Sequence, residues 1–326
     1  MEYRTLGKTG VQISFLSMGT MTFGSAADEE MSGKIFNRCR EAGINVFDTA
    51  NIYGGNRNGR GEQILGRLIS TCRDELVIST KVGTPRWDGP NDGGLSRRYI
   101  MLEVEKSLRN LQTDRIDIYY IHKLDSRTPM EETLRAMDDL QKQGKIVYPA
   151  ISNSAAWQIA LGLGISRKES IAEFVCVQPM YNLVKRQSEV EILELAKAEK
   201  LGVITYSPLG AGLLTGKYTH GDKPDAGRIR TDERYKARYG NPLYFEIAEK
   251  FVDYALERGV KPAALAVAWA ASHPAVTSSL IGARNLEQLE DSLSAIEIKM
   301  TPEWRKEIAA LSVDPPPATD RSEEKK

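Results

Sequence analysis

The sequence predicts an α/β fold, a single (β/α)8 TIM barrel with an N-terminal β-hairpin and long loops on its C-terminal face. Three observations carry that expectation. Eight short apolar runs alternate with amphipathic segments of helical period, the order in which parallel β/α units follow one another. From the second run onward each ends in polar or glycine-bearing residues, so side chains with chemistry collect at one end of the sheet. Two long polar connections, 83–95 and 218–241, follow the third and seventh runs, on the side where barrels carry binding loops.

In chain order, "YRTLGKTGVQISF" reads as the hairpin, and the runs are "SFLSMG", "NVFDT", "LVISTKV", "IDIYYIH", "PAISN", "FVCVQ", "VITYSP" and "TSSLIG". Between them, 97–112 is helical, with Ile100, Val104, Leu108 and Leu111 at helical spacing behind the capping residue Ser96. Another helix starts at Thr128-Pro129, with proline at its first position, and buries Leu134, Met137 and Leu140. "AALAVAWAA" (263–271) suits a buried helix and is too short to span a bilayer. The barrel occupies residues 1–312 without an internal boundary. The tail 313–326, "VDPPPATDRSEEKK", is too rich in proline and charge to pack, and disorder is expected near its end.

Composition removes several classes. Apolar residues make up 41%, enough for a large core, and Lys+Arg and Asp+Glu are both 44. With no net charge, a general electrostatic grip on nucleic acid or an anionic membrane is not expected. Cys39, Cys72 and Cys176 are far apart and lack CxxC spacing, which fits a reduced compartment and no metal site. The polar opening "MEYRTLGKTG" does not read as a signal peptide, so a cytoplasmic protein is expected.

The run ends deliver Asp48, Lys81, His122, Ser152 with Asn153, Gln178, Tyr206 with Ser207, and Gly282-Ala283-Arg284. Singly, each has an ordinary reading: Asp48 a turn residue, Tyr53 a loop aromatic, His122 a satisfied core histidine. Lys81 is harder to dismiss, because burying an ammonium after "LVIST" is costly unless a carboxylate pairs with it, and Asp48 on the neighbouring strand is the candidate. Together these residues converge on one rim, where barrel enzymes place their chemistry. "GAGLLTG" is not a Rossmann fingerprint: its spacing is GxGxxxG and no strand with an acidic ribose partner follows.

The set Asp48, Tyr53, Lys81 and His122 resembles the catalytic tetrad of the aldo-keto reductases. The strings "GINVFDTANIYG", "STKVG", "RIDIYYIH", "VQPMYNL", "VITYSPLGAGLLTGKY" and "IGARNLEQLEDSL" resemble the family too, from about residue 3 to 310. The branch is the bacterial and plant-type one that also contains potassium-channel β subunits. The resemblance implies carbonyl reduction, with Tyr53 as the acid, Lys81 lowering its pKa from the ordinary ~10, Asp48 anchoring Lys81, and His122 directing the carbonyl oxygen. It also implies a nicotinamide dinucleotide, with Ser152, Asn153 and Gln178 on the carboxamide and Tyr206 stacked on the ring. Ser207, Leu209, Gly210, Gly212 and Lys217 would surround the pyrophosphate, and Gly282, Ala283, Arg284 and Gln288 the adenosine end. A cation such as Arg284 in a first helical turn opposes the helix dipole unless it meets an anion, which points to a 2′-phosphate and NADPH/NADP+. Ser292 stands where the family usually has Asn, so adenine contacts are expected to differ.

The leading expectation is therefore an NADPH-dependent reductase of small aldehyde or ketone substrates. The alternative is a dinucleotide-binding regulatory subunit with slow turnover. A barrel using Lys81 as a Schiff-base nucleophile would leave Tyr53, Asn153 and Arg284 unexplained. Trp87, Tyr235 and Tyr239 are candidates to line a substrate pocket.

Overall fold

An antiparallel ribbon, β1 (Tyr3–Thr5) against β2 (Gln12–Ser14), opens the chain and is the predicted hairpin. Its Leu6 and Ile13 are fully buried and close one end of a barrel. A side chain on Gly202 would bring its Cβ within 2.4 Å of Leu6 Cδ1, so the plug fits because that position is glycine. The computed structural model describes residues 1–221, 227–321 and 323.

The barrel is the predicted one. Its eight parallel strands are β3 (Leu16–Gly19), β4 (Val46–Asp48), β5 (Val77–Val82), β6 (Ile116–Ile121), β7 (Ile146–Ser152), β8 (Cys176–Gln178), β9 (Gly202–Thr205) and β10 (Ser278–Ile281), with β10 pairing back onto β3. Each falls on one of the apolar runs. Side chains alternate across the wall. Ile118 and Tyr120 of β6 pack inward with Val46, Ala150, Cys176, Ile204 and Leu280, while Tyr119 and Ile121 pack outward under the helices. Lys81 lies beside Tyr120 in register and so joins the inner row.

The predicted helix near 97 runs Arg97–Leu111, with Ser96 Oγ accepting from Tyr99 N at 3.3 Å. Such a cap contributes about 1 kcal/mol. The next helix, Met130–Lys142, buries Leu134, Met137 and Leu140 as expected. Pro129, however, is its N-cap and not its first helical residue: its ψ is 137°, and its carbonyl already accepts from Thr133 N. Pro262–Ala271 is the buried helix, covered on every side.

Segment 218–241 departs from the open connection read from the sequence. Arg228–Thr231 and Glu233–Tyr239 are helical, with Asp232 capping the second by accepting from Arg234 N. Residues 222–226 of that segment lie outside the described ones. So do 322 and 324–326, on which the expected disorder of the tail falls. The start of the tail is tied to the barrel, Asp314 pairing with Arg186 at 2.7 Å. Among the described residues no helix is long and apolar enough to cross a membrane.

Candidate active site

The strand exits are locked to one another by backbone hydrogen bonds. Thr49 N donates to Ser79 O, Asn51 N to Lys81 O, His122 N to Val82 O, and Tyr206 N to Pro179 O. Side chains at these positions therefore have little freedom, and they meet as the sequence predicted.

Asp48 and Lys81 form a buried ion pair through Oδ2 and Nζ. Lys81 also donates to Thr49 O at 2.8 Å, and Asp48 Oδ1 accepts from Ser79 Oγ at 2.6 Å and Gln178 Nε2 at 3.1 Å. Desolvation pulls the Lys81 amine below its ordinary value, and Asp48 opposes the shift. A buried ion pair is tolerated where, as here, further hydrogen bonds satisfy both partners. The ammonium sits between two rings, 5.2 Å from the centroid of Tyr53 and 5.8 Å from that of Tyr120.

Tyr53 and His122 face each other edge-on, centroids 6.1 Å apart. One expectation is corrected here. The Tyr53 phenol is not drawn below its ordinary value: burial, then the charges of Asp48 and Tyr235, push it up, with Arg228 opposing. His122 is driven the other way, down to about 3, by burial and by the charges of Lys81 and Lys123. It is a neutral imidazole throughout the neutral range, with Thr84 Oγ1 at 3.3 Å from Nδ1.

That shift makes a stability prediction. An unfolded histidine takes a proton near 6.5, while folded His122 resists protonation down to about 3, so acid favours unfolding between those values. The melting temperature should fall as pH drops from about 6.5 toward 3, and His122→Gln should flatten that slope in a calorimetric pH series. An unchanged slope would mean that the imidazole titrates normally.

Tyr53, His122 and Asp48 open into a cavity of about 890 Å3. Its walls bring together Ser152, Asn153, Gln178, Tyr206, Ser207, Leu209, Gly212, Lys217, Gly282, Ala283, Arg284 and Gln288, all singled out from the sequence. Gly210 is buried just behind, at φ +55°, between Ser207 and Gly212. Gln178 spends one amide hydrogen on Asp48, and Tyr206 OH donates to Asn153 Oδ1 at 2.6 Å. Asn153 Nδ2 reaches His122 O at 2.8 Å.

The turn Gly210–Thr215 carries Gly210, Ala211 and Gly212 with positive φ, and the end of the Lys217 side chain folds across Gly212. Burial and the charges of Arg284 and Arg228 hold the Lys217 amine below its ordinary value. Among the described residues no carboxylate lies within ion-pair distance of Lys217, Arg228 or Arg284. Cations crowding each other on one wall of a cavity form a receptor for an anion. Arg284 precedes the N-cap Asn285 and is not in the first helical turn, yet its backbone N donates to Gln288 Oε1 at 3.3 Å. Ser292 is buried and bonded to Gln288 O, so it turns away from the cavity.

Sequence reading missed Arg228, Arg234 and Arg238, which line the cavity from the two short helices of segment 218–241. The signal was a cationic run with an interleaved tyrosine, hidden by treating the segment as a loop. Lys261 and Asp291, paired at 2.7 Å, line it as well and were also missed as a site. Of the aromatic candidates only Tyr235 lines the cavity. Tyr239 is fully buried, its hydroxyl 3.2 Å from Asn182 Nδ2, and Trp87 packs outside on Tyr99.

Comparison with known proteins agrees with this geometry. The profile of the Aldo/keto reductase family matches residues 15–313. An uncharacterized oxidoreductase, YrpG of Bacillus subtilis, is 39% identical, covering 93% of each chain. A probable voltage-gated potassium channel subunit beta of Arabidopsis thaliana is 38% identical, over 91% of this chain and 92% of its own. L-glyceraldehyde 3-phosphate reductase of Escherichia coli is 35% identical, over 91% and 88%. With an eight-stranded barrel and a family match over nearly its whole length, the chain belongs to the aldo/keto reductase family.

Proposed function

We propose that the protein is an NADPH-dependent oxidoreductase that reduces aldehyde or ketone carbonyls to alcohols. The observation that carries this reading is one cavity with a buried Asp48–Lys81 pair, Tyr53 and neutral His122 at one end and the cations Lys217, Arg228 and Arg284 along the wall. The bound nicotinamide supplies the hydride, which no side chain can. Ser152, Asn153 and Gln178 offer the amide-binding groups for it, and Tyr206 a face to stack on. Ser207, Leu209, Gly210 and Gly212 line the way to the phosphates, Gly282 and Ala283 border the adenosine end with Gln288, and Lys217 and Arg284 hold negative charge.

Tyr53 gives its proton to the carbonyl oxygen as negative charge develops there. His122, being neutral, donates a hydrogen bond to that oxygen without competing as an acid. Lys81, fixed by Asp48, sets the position and local field of the phenol. A phenol held protonated is ready to donate, and a developing alkoxide is basic enough to take the proton.

Preference for the phosphorylated dinucleotide rests on Arg284. Arg284→Ala should weaken NADPH binding by roughly tenfold to a hundredfold and leave NADH almost unchanged, read by fluorescence titration. Equal losses for both cofactors would remove the 2′-phosphate assignment. The plant relatives named as channel subunits favour a second reading, a dinucleotide-binding regulatory subunit. Repeated turnover of NADPH with 4-nitrobenzaldehyde separates the two; a single turnover per chain supports the regulatory reading.

A further inference from the structure

Segment 83–95 was expected among the binding loops, yet none of its residues lines the cavity. What it does is grip the loop that carries Tyr53. Arg86 donates from Nε to Arg57 O at 3.2 Å, from Nη2 to Asn58 O at 2.9 Å, and from Nη1 to Glu103 Oε2 at 3.2 Å. The same Glu103 oxygen accepts from Asn51 Nδ2 at 2.8 Å, and the other oxygen from Lys106 Nζ at 2.7 Å. Glu103 and Asn51 are fully buried. Arg86 is itself held, because Asp92 accepts from Arg86 N at 3.0 Å and Trp87 N at 2.7 Å.

Asn51 precedes Tyr53 and residues 57–58 follow it, so one buried carboxylate ties both arms of the loop to the Arg97–Leu111 helix. The loop needs such a tie. Asn56 and Arg57 have φ of +46° and +52°, a left-handed conformation that side-chain-bearing residues avoid. Backbone of this kind persists where its surroundings over-determine it, and Arg86 holds the Arg57 carbonyl directly. Lys81 and His122 need no such brace, being placed by β5 and β6 themselves.

We propose that Arg86 and Glu103 are positioning residues for Tyr53, a brace that fixes where its hydroxyl meets the substrate. This rests on Tyr53 being the acid. The planar fork of Arg86 reaches two carbonyls and a carboxylate at once, which a lysine's single ammonium cannot do.

The test is Arg86→Lys, measured as holoenzyme with NADPH. Misplacing a reacting group by about 1 Å lowers rate up to roughly a hundredfold, so kcat should fall about tenfold to a hundredfold with NADPH Kd unchanged. The solvent deuterium isotope effect on kcat should rise, because the slowed step is proton transfer. A brace serving stability alone would lower the melting temperature and leave kcat and its isotope effect in place; that result overturns the proposal. Should Arg86→Lys not purify, Glu103→Gln keeps the side chain's shape, removes its charge, and gives the same readouts. An inactive Tyr53→Phe beside a fully active Arg86→Lys removes the brace alone, whereas an active Tyr53→Phe removes the acid assignment beneath it.

Discussion

Tyr53→Phe is expected to lose carbonyl reduction by about 10²- to 10⁴-fold in kcat, the range that a positioned proton donor contributes. Cofactor affinity and fold should survive. The Tyr53 hydroxyl has no hydrogen-bond partner among the described residues, so deleting it breaks no internal bond and its stability cost stays within about 1 kcal/mol. A half-buried tyrosine whose hydroxyl is unspent among the described residues, facing His122 in the wall of a cavity, is arranged for something that arrives. The pH dependence follows from the sign of the shift. Because burial and Asp48 push the phenol above its ordinary value near 10, the protonated form persists well into alkaline solution, and kcat should show no fall from Tyr53 ionisation between neutral pH and about 9. Stopped-flow traces with NADPH in excess test both points. Near-normal turnover in Tyr53→Phe would falsify the assignment.

What was legible beforehand, and what was not, has a physical pattern. Strands buried on both faces write themselves as apolar runs, so all eight were found, and a parallel barrel brings their ends together whatever the loops do. Asp48, Lys81, His122 and Gln178 sit at or within a residue of strand ends and were located for that reason. Electrostatics was read less well. The pairwise idea that Lys81 acidifies Tyr53 left out burial, which is the largest influence on the phenol and raises it. Residues off the strands were harder still. Arg228 and Arg238 reach the cavity from the two short helices of segment 218–241, a tertiary outcome that its polar, glycine-bearing composition concealed. Arg86 is the same case in reverse: its loop looked like a binding element and turned out to hold another loop.

Lys81→Met should produce the largest combined effect on stability and rate. It leaves Asp48 buried with only the Ser79 and Gln178 donors to satisfy a full negative charge. Removing one partner of a buried ion pair costs about 3–5 kcal/mol, so the urea midpoint should move far below that of the parent protein. Asp48→Asn should be costly as well, since Lys81 would keep only Thr49 O and shed its proton. The double variant Asp48→Asn/Lys81→Met separates the two roles a buried pair can have. With neither charge present the desolvation penalty vanishes, and replacing such a pair by neutral groups of similar volume is often neutral for stability, so much of the lost stability should return. Turnover should not. Without the ammonium between the Tyr53 and Tyr120 rings, the phenol loses the charged group beside it. Urea unfolding and kcat measured on all three variants decide the matter. A double variant that recovers both midpoint and turnover makes the pair a structural element only, whereas recovery of the midpoint alone places Lys81 and Asp48 in the chemistry.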